Sequence, residues 1–255
     1  MLNHKISIFF LLISQILVAQ NVKKCNTTFL MNNEIEKNEE YLENRKRLIA
    51  EDKLWINQNS TASNKRSTIT IPIVVHVIHR TNHANIGSGT NISDARIEDA
   101  IRILNEDYSK TNPEFPNPPR NTFLSSSGNP NLEFCLATID PSGNPTNGIT
   151  RTATTQTNWD ADDQGGWGSD GEANAMKKTS SGGIDSWDYQ RYLNIWVCDL
   201  TNSQSGGMTL GYAYLPGLPS SSWNDQTWKD GLVVDFQWFG TIQGASGDSR
   251  TATHE

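Results

Sequence analysis

Apolar positions along this chain recur with two periods, and the periods divide it into segments. Residues 69–78, Ile-Thr-Ile-Pro-Ile-Val-Val-His-Val-Ile, alternate as an extended chain does: Ile71, Ile73, Val75 and Val77 take one face, Val74, His76 and Ile78 the other. This predicts a strand, and Pro72 near its start suits a strand beginning or an edge. Similar runs at residues 132–139, 193–200, 211–215 and 231–236 predict four further strands. After the first strand, Ile97, Ala100, Ile101, Leu104 and Tyr108 follow helical spacing. Ser93 is placed to cap that helix, Ile92 and Ile97 to staple its first turn, and the Pro-rich residues 112–119 to end it. Upstream, residues 33–56 are charged around a seven-residue recurrence of Ile35, Leu42, Ile49 and Ile56, flanked by Tyr41, Leu48 and Trp55. One helix with a single apolar face is predicted there, followed by a polar linker at residues 57–68. The long polar region before residue 193 offers only Glu172-Ala173-Asn174-Ala175-Met176-Lys177-Lys178 as a further helix, and no internal repeat is visible.

Candidate chemistry lies at the far end of the pattern. The strand at 231–236 leads into a Gly-rich loop at 240–247 and then Ser249-Arg250-Thr251-Ala252-Thr253-His254-Glu255, where Ser249 or Asp248 can cap a helix carrying His254. His254-Glu255 match the first two positions of H-E-x-x-H, a pattern in which the histidine binds zinc and the glutamate acts as general base. The dipeptide alone has little specificity, but strand, loop and helix precede it in the right order. His76 and His79 point to opposite faces of an extended chain, so they and His83 read as strand and loop histidines rather than ligands. The acidic loop Asp160-Ala161-Asp162-Asp163-Gln164-Gly165 imitates a calcium loop, yet its twelfth position is Gly171 and not glutamate, so it reads as solvated surface. Trp159, Trp167, Trp187 and Trp223, among Gly, Ser, Asn and Asp, fit either packing under long loops or stacking on sugar rings.

Charge and termini narrow the classes. A chain of 255 residues with net charge -7 and pI near 5.3 argues against nucleic-acid or anionic-membrane partners. Met1-Leu2-Asn3-His4-Lys5, the apolar residues 6–18 and the small Ala19 read as a secretory signal peptide cut after Ala19 or Gln20, too short for a comfortable membrane span. Three cysteines leave at least one unpaired in an exported protein. Cys25 follows Lys23 and Lys24, which would favour its thiolate, the form that binds metal, and no lipobox precedes it.

The segments Asn194-Ile195-Trp196-Val197-Cys198, Leu210-Gly211-Tyr212-Ala213-Tyr214-Leu215-Pro216-Gly217, Asp230-Gly231-Leu232-Val233-Val234 and Arg250-Thr251-Ala252-Thr253-His254-Glu255 carry a family resemblance, with support from Glu133-Phe134-Cys135-Leu136-Ala137 and Gly148-Ile149-Thr150-Arg151. From about residue 69 onward the chain resembles the pappalysin family of metzincin zinc endopeptidases, in particular its secreted prokaryotic members. The resemblance implies an α+β fold, the N-terminal subdomain of a metzincin, with a twisted mixed five-stranded sheet and helices after a helical pro-segment. Residues 1–20 become the signal peptide, 21–66 the pro-segment and linker, and 67–255 the N-terminal part of a catalytic domain.

It further implies a secreted zinc endopeptidase made as a zymogen, acting on proteins or peptides and partnered by its own pro-segment. His254 is expected as a zinc ligand, Glu255 as the catalytic base and Cys25 as the latency ligand, although Asn26 replaces the usual companion glycine. Gly211, Tyr212, Ala213, Tyr214 and Leu215 are expected to form the edge strand that binds substrate. Two more histidine ligands, four and ten residues after His254 in the family pattern, and a Met-containing turn would lie beyond Glu255, so the chain is expected to be an inactive fragment. Calcium is a second implied cation. Activation is expected near Lys65-Arg66, since the family cuts beside arginine. In the implied sheet order Cys135 and Cys198 stand two strand spacings apart, about 9.6 Å, and both are expected reduced and buried. A secreted glycan-binding β-rich module and a catalytically dead binding relative are the alternatives.

Overall fold

The computed structural model describes residues 22–23, 25–59, 67–115, 124–125, 127–163, 165, 171–202, 207–246 and 250–255. The expected signal peptide, the Lys65-Arg66 activation site, Trp167 and the proposed caps Asp248 and Ser249 lie outside them. In chain order the elements are β1 (Val22–Lys23), α1 (Thr27–Lys37), α2 (Glu39–Asn59), β2 (Ile69–Arg80), α3 (Asp94–Ser109), β3 (Leu132–Leu136), β4 (Ile149–Thr154) and α4 (Glu172–Ala175). There follow β5 (Leu193–Cys198), β6 (Met208–Thr209), β7 (Gly211–Ala213), β8 (Ser220–Ser221), β9 (Asn224–Asp225), β10 (Leu232–Asp235) and α5 (Thr251–His254). No helix of the described residues is long and apolar enough to cross a membrane.

Among the described residues the main sheet has the order β3-β2-β5-β10-β7, with β4 also on β2, which makes six strands rather than the expected five. Of these six, β7 alone runs antiparallel, against β10, and it forms the edge. The extra strand arises because β3 and β4 share one side of β2 end to end: Leu136 lies opposite Ile73 and Ile149 opposite Val75. Thr150, Thr152 and Thr154 give β4 little apolar signal, but β-branched threonine suits a half-buried strand. β2 is central, not an edge, and it tolerates Pro72 because pairing with β5 begins only at Ile73.

The two faces of β2 serve separate cores, as its alternation requires. Ile73, Val75 and Val77 pack with Ile97, Ala100, Ile101 and Leu104 of α3, whereas Ile78 joins Trp196, Tyr212 and Val233 on the other side. Ser93 caps α3 by accepting from Arg96 N at 3.2 Å. Its end differs from expectation: Lys110 turns into the left-handed region at φ 61° before the prolines are reached. The expected helix in the region before residue 193 shrinks to the single turn of α4.

The N-terminal helical region is two helices, divided at Asn38, whose backbone is extended. The break lets Leu30 and Glu34 of α1 and Tyr41 of α2 all be buried, Leu30 in the cluster of Trp196 and Tyr212, Glu34 on Lys229 and Tyr41 on Leu215 O. The heptad stripe does not continue that contact, for Ile49, Trp55 and Ile56 are exposed. All three cysteines are free; Cys198 is buried as expected, but Cys135 only partly so, on the outermost strand.

His76 is buried with its imidazole satisfied by Thr150 Oγ1 at Nδ1 (2.7 Å) and Asn194 Oδ1 at Nε2 (3.0 Å). Burial lowers its pKa to about 4, against a partial opposing pull from Asn194. The unfolded chain therefore binds this proton first as pH falls, so the stabilisation by neutral His76 is complete above about pH 6.5 and is lost between there and about pH 4. Denaturant unfolding at a series of pH values should show a loss on the order of 3 kcal/mol across that window. His76→Gln, which cannot titrate, should flatten that part of the profile; an unchanged slope would assign the acid sensitivity to other groups.

Candidate metal and peptide site

The site begins with how α5 is held. Arg250 is the N-cap position of the helix, in place of the expected Ser249 or Asp248, and gives no side-chain cap. Tertiary contacts substitute: Asp107 of α3 accepts from Arg250 Nε at 3.0 Å and from Thr253 Oγ1 at 2.8 Å, and Glu114 accepts from Arg250 at 2.7 Å. The loop from β10 passes over α3 at Gly240, where φ is 82° and a Cβ would stand 2.5 Å from Arg96 O, so only glycine fits. Thus α5 is fixed at both ends, and Glu255 comes to lie beneath β7. Gly211 makes that approach possible, since a Cβ there would meet Thr251 Cγ2 at 2.8 Å and Glu255 Cγ at 3.2 Å.

Cys25, His254 and Glu255 converge, with a ligand atom of each within 4.8 Å of the others, a group that could hold a metal ion. Cys25 Sγ donates to Glu255 Oε2 at 3.1 Å, and Thr27 Oγ1 donates to the same oxygen at 2.8 Å. The other oxygen, Oε1, is buried without a hydrogen-bond partner among the described residues. Burial pushes the Glu255 carboxyl above its usual range, while Cys25, Thr27 and His254 pull the other way. Cys25 departs from expectation: burial and then the Glu255 contact push its thiol up, opposite to the effect anticipated from Lys23 and Lys24. One imidazole, one thiol and a carboxylate with an unsatisfied oxygen form a donor set suited to zinc.

The same N-terminal segment runs along the sheet edge. Asn26 N donates to Gly211 O at 3.1 Å and Ala213 N to Thr27 Oγ1 at 2.9 Å, so the outward groups of β7 are taken as an added strand would take them. Farther along, Tyr41 Oη donates to Leu215 O at 3.0 Å and Asn44 to Gly217 O at 3.1 Å. The strand is shorter than the expected 211–215; Tyr214 and Leu215 continue it as loop. The side chains of Tyr212 and Tyr214 turn inward, into the core beside Trp196.

Several residues without a sequence signal complete the contact. Asn26 replaces the expected glycine by reaching Ala161 O at 2.7 Å and Asp162 Oδ1 at 3.1 Å, which ties the segment to the acidic loop. That loop uses its carboxylates on protein donors: Asp160 accepts from Asp162 N and Asn202, and Asp163 from Gly165 N and Glu172 N. Nothing among its described residues supports the calcium expectation. Lys229 pairs with Glu34 across the same interface at 3.0 Å. Of the loop tryptophans, Trp159 is core and Trp187 packs on Tyr192, whereas Trp223 is 80% exposed. His76, His79 and His83 lie apart from the converging group, on Thr150 and Asn194, Arg80 O and Thr90 respectively.

A mostly parallel sheet with one antiparallel edge strand, above a short helix carrying His-Glu, is a metzincin-like arrangement. Solved structures agree. A glutamate-to-alanine mutant of Tannerella forsythia promirolysin is 34% identical over 91% of this chain and 66% of its own, with TM-score 0.66. Tannerella forsythia mature mirolysin with a cleaved peptide, and mirolysin with a small compound, are each 39% identical over 74% of this chain and 62% of theirs, with TM-score 0.59. No protein-family model and no curated protein matches. The chain is thus similar in fold and sequence to the mirolysins, pappalysin-family metzincins, and it spans just under two thirds of their length.

Proposed function

We propose that this chain is the N-terminal part of a secreted zinc metalloendopeptidase precursor, in which residues 21–66 hold residues 67–255 latent. The observation that carries the reading is the engagement of Glu255 by both Cys25 and Thr27 while Asn26 and Thr27 occupy the edge strand. One segment thereby covers both the candidate metal group and the place where an extended peptide would pair. Zinc, when bound, lowers the pKa of a coordinated water and polarises the scissile carbonyl. His254 is proposed as one of its imidazole ligands, with the two others beyond Glu255 as the resemblance implies. Glu255 is proposed to accept the proton of the attacking water and return it to the leaving amine. Cys25 is proposed to occupy the metal in the precursor, a role suited to a soft sulfur donor within 4.8 Å of His254 and Glu255. Gly211 O and Ala213 N are proposed to bind the substrate backbone after the segment leaves, with Tyr212, Tyr214 and Leu215 holding the rim in place.

The test uses the full-length secreted protein. Zinc near one ion per chain, chelator-sensitive cleavage of unfolded protein substrates, and a mature N-terminus within a few residues of Arg66 are expected. A protein that binds zinc but cleaves nothing after maturation would instead be a catalytically dead binder, and a mature start beyond Val77 would overturn the domain division by removing β2.

A further inference from the structure

The described part of the loop from β10, and α5 after it, are anchored at successive points on α3. Ser93 Oγ donates to Gln243 Oε1. Arg96 donates to Phe236 O at 2.5 Å and to Phe239 O at 2.8 Å, and Asp99 accepts from Thr241 N at 2.7 Å and Thr241 Oγ1 at 2.8 Å. Asp107 then takes Arg250 and Thr253. Asp107 goes against local preference. It stands in the last turn of α3, which holds no basic residue, and its side chain is about nine-tenths covered. The helix dipole disfavours an acid at that end. A choice that is unfavourable locally is tolerated where tertiary contacts offset it, and both partners of Asp107 are on the helix that carries His254 and Glu255.

We propose that Asp107 is a positioning residue for the metal site: it fixes the roll of α5, and so the direction of His254 and Glu255, without touching metal or substrate. The role at a metal rests on the zinc endopeptidase reading; the grip on α5 does not. Arg250 and Thr253 are three positions apart, hence on one face of a helix, and one carboxylate holds both. Two attachments on one face fix rotation as well as height, a task that α5 cannot leave to a side-chain N-cap because it has none. Each helical residue is turned by about 100° from the last. His254 and Glu255 directly follow Thr253 and therefore take their directions from that grip.

Full-length Asp107→Asn keeps the shape of the side chain and loses its charge. Zinc affinity should fall about tenfold or more, the scale seen when groups behind metal ligands are lost. For a fluorogenic peptide kcat should fall similarly, with KM within about twofold of the wild type. A role in stability alone would lower the unfolding midpoint and leave the zinc affinity and kcat of the folded protein unchanged, and that result overturns the proposal. Added to Arg250→Gln with Thr253→Val, Asp107→Asn should cost less than about twofold more; its full effect there overturns the route through α5. If Asp107→Asn does not fold, Thr253→Val alone, which removes one hydroxyl from the same contact, is judged by the same readouts. Metal-free protein separates the grip from the protease reading. The amides of His254 and Glu255, bonded to Arg250 O and Thr251 O, should exchange hydrogen about tenfold faster in Asp107→Asn. Equal exchange overturns the grip whether or not any peptide is cleaved; faster exchange in a protein that binds no zinc and cleaves nothing rejects the endopeptidase reading and leaves the grip standing.

Discussion

Glu255→Gln in the full-length protein should keep zinc at about one ion per chain and lower peptide hydrolysis by at least ~10²-fold, the usual worth of a positioned general base. The separation of the two effects comes from geometry. The Glu255 carboxylate is held by Thr27 and Cys25, both from the N-terminal segment, and its second oxygen has no partner among the described residues. On the proposed removal of that segment, both oxygens would be available to water, and glutamine preserves the shape while losing the basic site. His254→Ala should differ by losing the metal itself, since an imidazole ligand has no substitute in alanine. Metal analysis paired with a fluorogenic peptide assay distinguishes the two variants. Glu255→Gln that retained hydrolysis would remove this residue from the chemistry.

Ala213→Pro should reduce kcat/KM for peptides by roughly 10- to 100-fold, the cost of leaving a backbone partner unmet in a covered cleft. Ala213 N points out of the sheet edge, where Thr27 Oγ1 now accepts from it, so proline removes the donor that an incoming strand would use. The pairing of β7 with β10 around Tyr212 and Val233 lies on the other edge. Zinc content should consequently stay unchanged, and the N-terminal segment should become more accessible to limited proteolysis because Thr27 loses one of its two anchors and keeps only Glu255. Unchanged turnover would move the peptide-binding strand elsewhere.

Much of the frame was legible because local pattern and burial agree. β2 is apolar on both faces, and α3 carries a cap, a staple and one apolar stripe, so chain composition alone specifies what each must bury. β4 escaped notice because a threonine-rich strand has no apolar alternation, and its pairing depends on the half of β2 that β3 leaves open. The N-terminal helical region reads as one helix because its heptad repeat carries no sign of the break at Asn38, and the repeat runs on past Asn44, which donates to the 215–217 loop, to Ile49, Trp55 and Ile56, which are exposed.

By itself, the sequence determined which residues are available for the proposed chemistry: a His-Glu pair after a strand and a Gly-rich loop, and a cysteine near the N-terminal end. Only the tertiary structure decided that they meet. Cys25 and Glu255 are 230 positions apart, and Glu34 and Lys229 are 195 apart, distances over which no local periodicity carries information. Their meeting is set by the sheet, which makes β7 an edge with unmet backbone groups, and by Gly211, whose missing side chain leaves room for Glu255 beneath it.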